Sequence, residues 1–429
     1  MQVFDQLESG NRSYCRTFPD VFTHASGAWI TGRSGRRYID FFAGAGALNY
    51  GHNPPELKRA LIAYLEADGL LQGLDMATVA KERFLLAFNE IILAPRGLAA
   101  YRLLFPGPTG ANCIEVGFKM ARRATGRRRI IAFTGGFHGM SLGALAATWK
   151  EFYRTGAGVL LRDVEFMPFD GALGADADSL DTLVCLLNEA RDENEKPAAC
   201  IVETVQGEGG CNVASMDWLR RLQSLCRAYG MLLIVDDIQA GCGRTGSFFS
   251  FEPAEIDPDI VCLAKSISGF GLPMSLALVK PQYDVLEPGQ HSGTFRGNNA
   301  AFVTATEALE QYWRDDALMR EVEIKSQLVA SELASVAATY PQYMVGVRGR
   351  GLMQGLVFRN GELSRRTRER CFEQGLIAET CGISDEVIKV FCPLTISEPD
   401  LRTGLRILSD AVEWVLGNLP GSDLDSFSL

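Results

Sequence analysis

Residues 261–273 read "VCLAKSISGFGLP": an apolar run of strand length, a single lysine, then a Ser/Gly-rich turn. A lysine at the carboxyl end of a buried strand either snorkels past the edge of the sheet or has its amine wanted inside. The apolar runs on either side of Lys265 decide the fold. "RLLFPG", "RIIAFTGG", "ACIVETVQ", "LLIVDDIQ", "DIVCLAKS" and "MSLALVKP" read as strands. They alternate with amphipathic stretches such as "CIEVGFKMARRATG" and "MDWLRRLQSLCRAYG", whose apolar residues recur every three to four positions. That alternation predicts an α/β fold with a mostly parallel sheet covered by helices on both faces. From about residue 299 the pattern changes to the long helices "AAFVTATEALEQYW" and "EIKSQLVASELASVAATY", then the strands "GLMQGLVFRN" and "VIKVFCPLT", which predicts a smaller α+β domain.

In open α/β sheets ligands sit beyond the carboxyl ends of the strands, so the residues just after each run carry the function. Asp236 follows "LLIV", with Asp237 and Gln239 close behind, and Lys265 ends the next strand. A strand-end carboxylate alone reads as a helix cap or an ion-pair partner. With Lys265 beside it, the two match what a pyridoxal phosphate (PLP) site needs: an acid for the pyridine nitrogen and an amine for the Schiff base. The phosphate wants backbone N–H groups at a helix start. "PGPTGANCIEVGFKMAR" offers them, with Thr109, Gly110 and Ala111 at the break. "TGGFHGMSLGA" places Phe137 and His138 after another strand; Phe137 alone would otherwise read as core packing. "GCGRTG" at 241–246 matches a dinucleotide-binding pattern but is followed by "SFFSFEP" instead of a helix, so that reading fails.

The other classes are excluded by composition. A chain of 429 residues suits one large domain plus a smaller one, or two domains of similar size, and a net charge of −10 argues against nucleic-acid binding. The short basic runs "RRATGRRR" and "LSRRTRERC" read as solvated faces. Eleven cysteines without paired or metal-ligand spacing point to no metal and to a reducing cytoplasm. The opening residues lack a basic segment followed by an apolar stretch, and no uninterrupted apolar run reaches about 18 residues, so neither secretion nor a membrane span is expected.

The ordered motifs "YIDFFAGAGALNYGHNPPEL", "TGANCIEVGFKMAR", "FTGGFHGMSLGA", "VETVQGEGG", "LLIVDDIQAGCGRTG", "AKSISGFGLP", "GTFRGNNAA" and "RGRGLMQGL" resemble the class III (subgroup II) aminotransferases of the fold type I PLP family over nearly the whole chain. The resemblance implies a seven-stranded large-domain sheet. It divides the chain into 1–48 as the N-terminal part of the small domain, 49–298 as the PLP-binding domain and 299–429 as the rest of the small domain. It also implies a role for each matching residue. Lys265 would carry the cofactor and shuttle the proton, Asp236 would bind the pyridine nitrogen, and Gln239 would contact the ring hydroxyl. Phe137 and Ile238 would cover the two ring faces, with His138 alongside. Gly110 and Ala111 would hold the phosphate, completed by Thr294 from the other subunit of a homodimer; pairing of dimers into tetramers stays open. Glu208 matches a gate carboxylate, and Glu203 a supporting acid. Lys389 stands where the class usually has an arginine; Lys389 and Arg296 are the candidate substrate anchors, Arg296 being equally readable as a structural ion pair. Arg348 and Arg350 read as packing.

Within the class the motifs are most similar to the subgroup that makes L-2,4-diaminobutyrate from aspartate β-semialdehyde and glutamate, which implies ectoine biosynthesis or a specialised-metabolite pathway. Two other readings remain: γ-elimination or γ-replacement on an amino acid with a leaving group such as S-adenosylmethionine, with Lys265 as base, and a non-catalytic regulator on the same scaffold.

Overall fold

A computed structural model describes residues 2–174 and 176–419. Three N-terminal strands, β1 (Phe22–Ser26), β2 (Trp29–Gly32) and β3 (Arg37–Asp40), pair antiparallel in sequence order. The large sheet follows, formed by β4 (Arg102–Leu104), β5 (Ile130–Phe133), β6 (Val164–Met167), β7 (Ala199–Val202), β8 (Leu232–Asp236), β9 (Ile260–Leu263) and β10 (Leu276–Val279). Its spatial order is β4-β10-β9-β8-β7-β5-β6. All neighbours run parallel except β10, which is antiparallel to both β4 and β9. Strands β5, β7 and β9 are buried at every position, as strands covered on both faces must be, which is why they read as continuous apolar runs. The seventh strand, β6, escapes a sequence reading because it lies at the sheet edge and is only half-buried, so "VEFM" carries no strong apolar signal.

The chain runs outward from β5 to β6 and then returns to the other side of β5 as β7. This reversal opens a crevice at the carboxyl ends of the strands. The helix Gly110–Thr125 starts beside it, follows the broken segment "PGPT", and ends at Gly126 in the left-handed conformation (φ 70°). Its apolar face, including Cys113, Ile114, Val116 and Met120, packs in the same core as Ile234, Ile260 and Cys262 of the sheet.

The remaining strands are β11 (Met344–Arg350), β12 (Met353–Phe358), β13 (Leu376–Ile377), β14 (Glu379–Cys381) and β15 (Val387–Val390). Four of them form an antiparallel sheet in the order β11-β12-β15-β14, while β13 pairs parallel with β3 and joins the two ends of the chain in one sheet. Between the sheets, the rejected "GCGRTG" loop does structural work. Arg244 is fully buried, lies 4.2 Å from the Phe391 ring centroid, and donates to Leu352 O (3.0 Å), Cys392 O (2.6 Å) and Asn49 Oδ1 (2.6 Å). No helix among the described residues is long and apolar enough to cross a membrane.

Candidate active site

The strand ends converge on a cavity of ≈ 160 Å³ lined by Lys265, Asp236, Ile238, Gln239, Phe137, His138, Glu203, Glu208, Gly110 and Ala111, together with Gly139. Ten of the sequence-predicted residues, drawn from five separate segments, are thereby brought to one place. Lys265 follows β9 as the first residue of the turn Lys265–Ser268 and holds φ at +52°, in the left-handed region that non-glycine residues avoid. Such strain persists only where the surrounding structure enforces it. Burial lowers the Lys265 pKa, opposed by Glu208, while Lys389 adds to the lowering. A buried lysine so placed is more readily neutral, and a neutral amine is the nucleophile.

The tandem aspartates at the end of β8 diverge. Asp236 faces the cavity and is held there by His138, whose Nδ1 lies 2.7 Å from Asp236 Oδ2, and by the N–H of Ile238, which donates to Oδ1 at 3.2 Å. Asp237 turns away and accepts from Ser250 N at 3.0 Å. Burial works against the His138 imidazolium, but its hydrogen bond to Asp236 and the charges of Asp236 and Glu203 outweigh that and raise its pKa. Glu203 accepts from Phe137 N (2.9 Å) and Gly207 N (3.2 Å); burial nonetheless lifts it to about 7, with His138 opposing.

The remaining walls fit a flat, anionic, hydroxyl-bearing ring compound. Phe137 and Ile238 are apolar walls, and Gln239 donates to Ala45 O at 3.1 Å while its buried Oε1 has no partner, as expected of a group awaiting a donor from a ligand. Close approach at two points needs glycine: a Cβ at Gly110 would lie 2.9 Å from Ile238 Cδ1, and one at Gly207 would lie 1.6 Å from Gln239 Oε1. Gly110 and Ala111 begin a 16-residue helix whose first N–H groups have no intrahelical acceptor. Thr109 donates from both its N–H (3.2 Å) and its hydroxyl (2.9 Å) to Asn112 Oδ1, which leaves the amides of 110 and 111 for an anion.

At the cavity's other end, Glu208 pairs with Lys389 at 2.9 Å, and Lys389 is 2 % exposed. Burial disfavours both charged forms, but their mutual attraction prevails, lowering Glu208 and raising Lys389 well above its usual value.

Three predicted residues do not line this cavity: Lys389, which meets it only through Glu208, and Thr294 and Arg296. Thr294 is exposed on the 284–298 loop, where its carbonyl accepts from Gln72 Nε2 at 3.0 Å; it does not line this chain's cavity. Arg296 donates to Phe105 O at 2.9 Å and to His291 O, and it too is absent from the cavity. Arg348 approaches Glu386 at 3.9 Å, and Arg350 donates to Thr245 Oγ1 at 3.3 Å and to Ser250 O. Sequence reasoning missed Tyr153, whose ring packs edge-on against Phe137 with centroids 5.4 Å apart, and Glu379, opposite Lys389 on β14. Only the pairing register of β14 with β15 would have revealed Glu379.

A strand-end lysine and carboxylate, an apolar slot and a helix start together define a PLP-dependent enzyme of fold type I. The chain belongs to the class III aminotransferases: the family pattern described as aminotransferase class III matches residues 11–412. It is a PLP-dependent transaminase. Similar curated proteins include the diaminobutyrate–2-oxoglutarate transaminase of Vibrio cholerae serotype O1, 53% identical over 408 residues, covering 95% of this chain and 98% of that protein. Another is the Bordetella parapertussis protein of the same name, 53% identical over 413 residues, covering 96% of this chain and 95% of its own. Among solved structures, the ornithine aminotransferase of Toxoplasma gondii ME49 superimposes with a TM-score of 0.84 at 25% identity, covering 97% of this chain and 95% of its own.

Proposed function

We propose that the chain is an L-2,4-diaminobutyrate:2-oxoglutarate 4-aminotransferase, forming diaminobutyrate from aspartate β-semialdehyde and glutamate. The observation that carries this reading is the Glu208–Lys389 pair at the cavity, 2.9 Å long. A two-substrate transaminase must accept glutamate's distal carboxylate in one half-reaction and a differently charged molecule in the other. A cation held by an internal carboxylate answers that need: Lys389 is released to a substrate carboxylate when one enters and returns to Glu208 when none is present. The two curated relatives named above carry the same activity in their names.

PLP, when bound, supplies the electron sink that stabilises the negative charge left at a substrate carbon after its proton is removed. In this reading Lys265 would hold the cofactor and would take and return the substrate proton. Asp236, oriented by His138, would keep the pyridine nitrogen protonated. Gln239 would contact the ring hydroxyl, Phe137 and Ile238 would cover the ring, and the amides of Gly110 and Ala111 would hold the phosphate. Glu203 fixes the Phe137 backbone. The active unit is a homodimer in which Thr294 reaches the partner's phosphate site; its exposure, and that of Phe295 beside it at 68%, support the placement. The setting is a cytoplasmic pathway, ectoine biosynthesis or a specialised-metabolite route. The domain boundaries at 48/49 and 298/299 are supported by the β3–β13 pairing, which binds the N-terminal segment to the last third of the chain.

The test is an absorption titration of the PLP-loaded protein with L-glutamate, L-2,4-diaminobutyrate and S-adenosylmethionine in separate cuvettes, with mass spectrometry of products. Conversion to the amine form of the cofactor by glutamate and by diaminobutyrate, reversed by 2-oxoglutarate, is expected. No change with either amine, together with methylthioadenosine release from S-adenosylmethionine, would establish γ-carbon chemistry instead.

A further inference from the structure

Strands β14 and β15 pair antiparallel with Glu379 directly opposite Lys389. Residues so paired project from the same face with Cβ atoms about 5 Å apart. From that face Lys389 reaches Glu208, which lines the cavity with Lys265. Lys389 thus stands beside two acids, in contact with Glu208 at 2.9 Å and across the strand pair from Glu379.

That ammonium is committed to Glu208. Glu379 Oε2 is shielded from solvent and has no hydrogen-bond partner, and among the described residues Glu379 forms no ion pair. Arg368, on the helix Gly361–Glu373, donates instead to Thr380 Oγ1 at 3.4 Å and approaches Glu369 at 3.9 Å. The other titratable neighbours, Tyr14 and Tyr153, are pushed upward by burial and by the acids around them, so they are neutral at pH 7 and supply no cation. Glu379 is half-buried, and its shielded oxygen without a partner is costly; burial, with Lys389 and Arg368 opposing and Glu208 adding, lifts Glu379 to about 7. Among the described residues no cation is in contact with it.

This inference rests on the function proposed above. Aspartate β-semialdehyde and diaminobutyrate both react at C4, so each carries an α-ammonium beside an α-carboxylate at its far end. Glutamate, reacting at its α-carbon, presents only a carboxylate there. We propose that Glu379 is the receptor for the second, non-reacting ammonium of the four-carbon substrate, and so a specificity-determining residue for diamino-acid chemistry. Lys389 stays paired with Glu208 in that half-reaction, and the fixed register of β14 with β15 holds Glu379 beside the pair.

The experiment is half-reaction kinetics on PLP-loaded wild type, E379Q and E379D with L-2,4-diaminobutyrate and L-glutamate, followed by cofactor absorbance. The quantity read is the ratio of kcat/KM for diaminobutyrate to that for glutamate, which cancels any general loss of active protein. E379Q is expected to lower that ratio about tenfold or more, as loss of a charged hydrogen bond does, and E379D to recover part of it. A ratio unchanged within about twofold in both variants would overturn the inference and leave Glu379 a structural acid. Wild type that reacts with glutamate but not with diaminobutyrate would overturn the proposed function, and the inference with it.

Discussion

The two ends of the cavity are built on different principles. At the cofactor end the groups sit at the termini of parallel strands in the buried sheet, so the fold fixes their positions: Asp236 closes β8 and Lys265 follows β9. At the substrate end Glu208 comes from a loop while Lys389 and Glu379 lie on a small antiparallel sheet, and their arrangement depends on charge pairing across it. In the proposed function, one end presents the same ring to every substrate and the other holds charges that exchange because the substrates differ.

The comparison breaks most sharply at Lys265. Replacing Lys265 with Ala is expected to remove at least the 10²–10⁴-fold that a positioned proton-transfer group typically contributes, while leaving PLP-dependent absorbance recoverable with an added primary amine. Single-turnover rates with glutamate check this; a variant within tenfold of wild type would show that the lysine's position at the strand end is not what matters. At the other end, Lys389→Ala strands Glu208 without its partner. Removing one member of a buried pair costs about 3–5 kcal/mol, and since Glu208 retains 26 % side-chain exposure the lower figure is expected, about 3 kcal/mol in chemical denaturation. The double variant with Glu208→Gln should regain part of that loss. A smaller effect is expected at Asp236→Asn, which keeps the shape but loses a charge-assisted hydrogen bond to His138: roughly 10–100-fold in the amine half-reaction, by the 1.5–3 kcal/mol such bonds carry.

The same contrast explains what could be read from the sequence. Six of the seven large-sheet strands announce themselves as apolar runs, and the residues after them are the site, because strand ends in such sheets point at the ligand. The lysine question at "VCLAKS" has its answer in that rule, although the left-handed backbone at Lys265 is invisible in the letters. Lys389 is found only through family resemblance, since "VIKVF" reads as an ordinary buried strand. Glu379 leaves no signal at all: a two-residue slip of β14 would put a different residue opposite Lys389, and register is a property of the folded sheet. Arg296 is the opposite case, since its sequence context reads equally as an anchor or a structural ion pair, and in this chain its guanidinium donates to the backbone carbonyls of Phe105 and His291.

The finest test of the comparison is electrostatic. The rigid end holds a carboxyl, Glu203, that burial lifts to about 7 from its ordinary value. An acid whose folded pKa is raised is protonated more readily in the folded state than in the unfolded one. Between its unfolded pKa, near 4.5, and about 7, the native chain therefore binds the extra proton, and stability falls as pH rises through that window. The slope from one such group is at most about 1.4 kcal/mol per pH unit. Denaturant titrations of the cofactor-free protein from pH 5 to pH 8 should show this decline, and Glu203→Gln, which removes the titration at the cost of one of the two backbone hydrogen bonds the carboxylate accepts, should flatten it. Glu379→Gln should flatten it as well, since Glu379 is lifted to about 7 by the same cause. Saturating diaminobutyrate on the loaded enzyme separates the two. A ligand ammonium reaching Glu379 holds that carboxyl ionised and erases its share of the slope, whereas Glu203, enclosed by the Phe137 and Gly207 amides, keeps its own. Equal erasure of both contributions would mean that the two ends of the cavity are not electrostatically distinct.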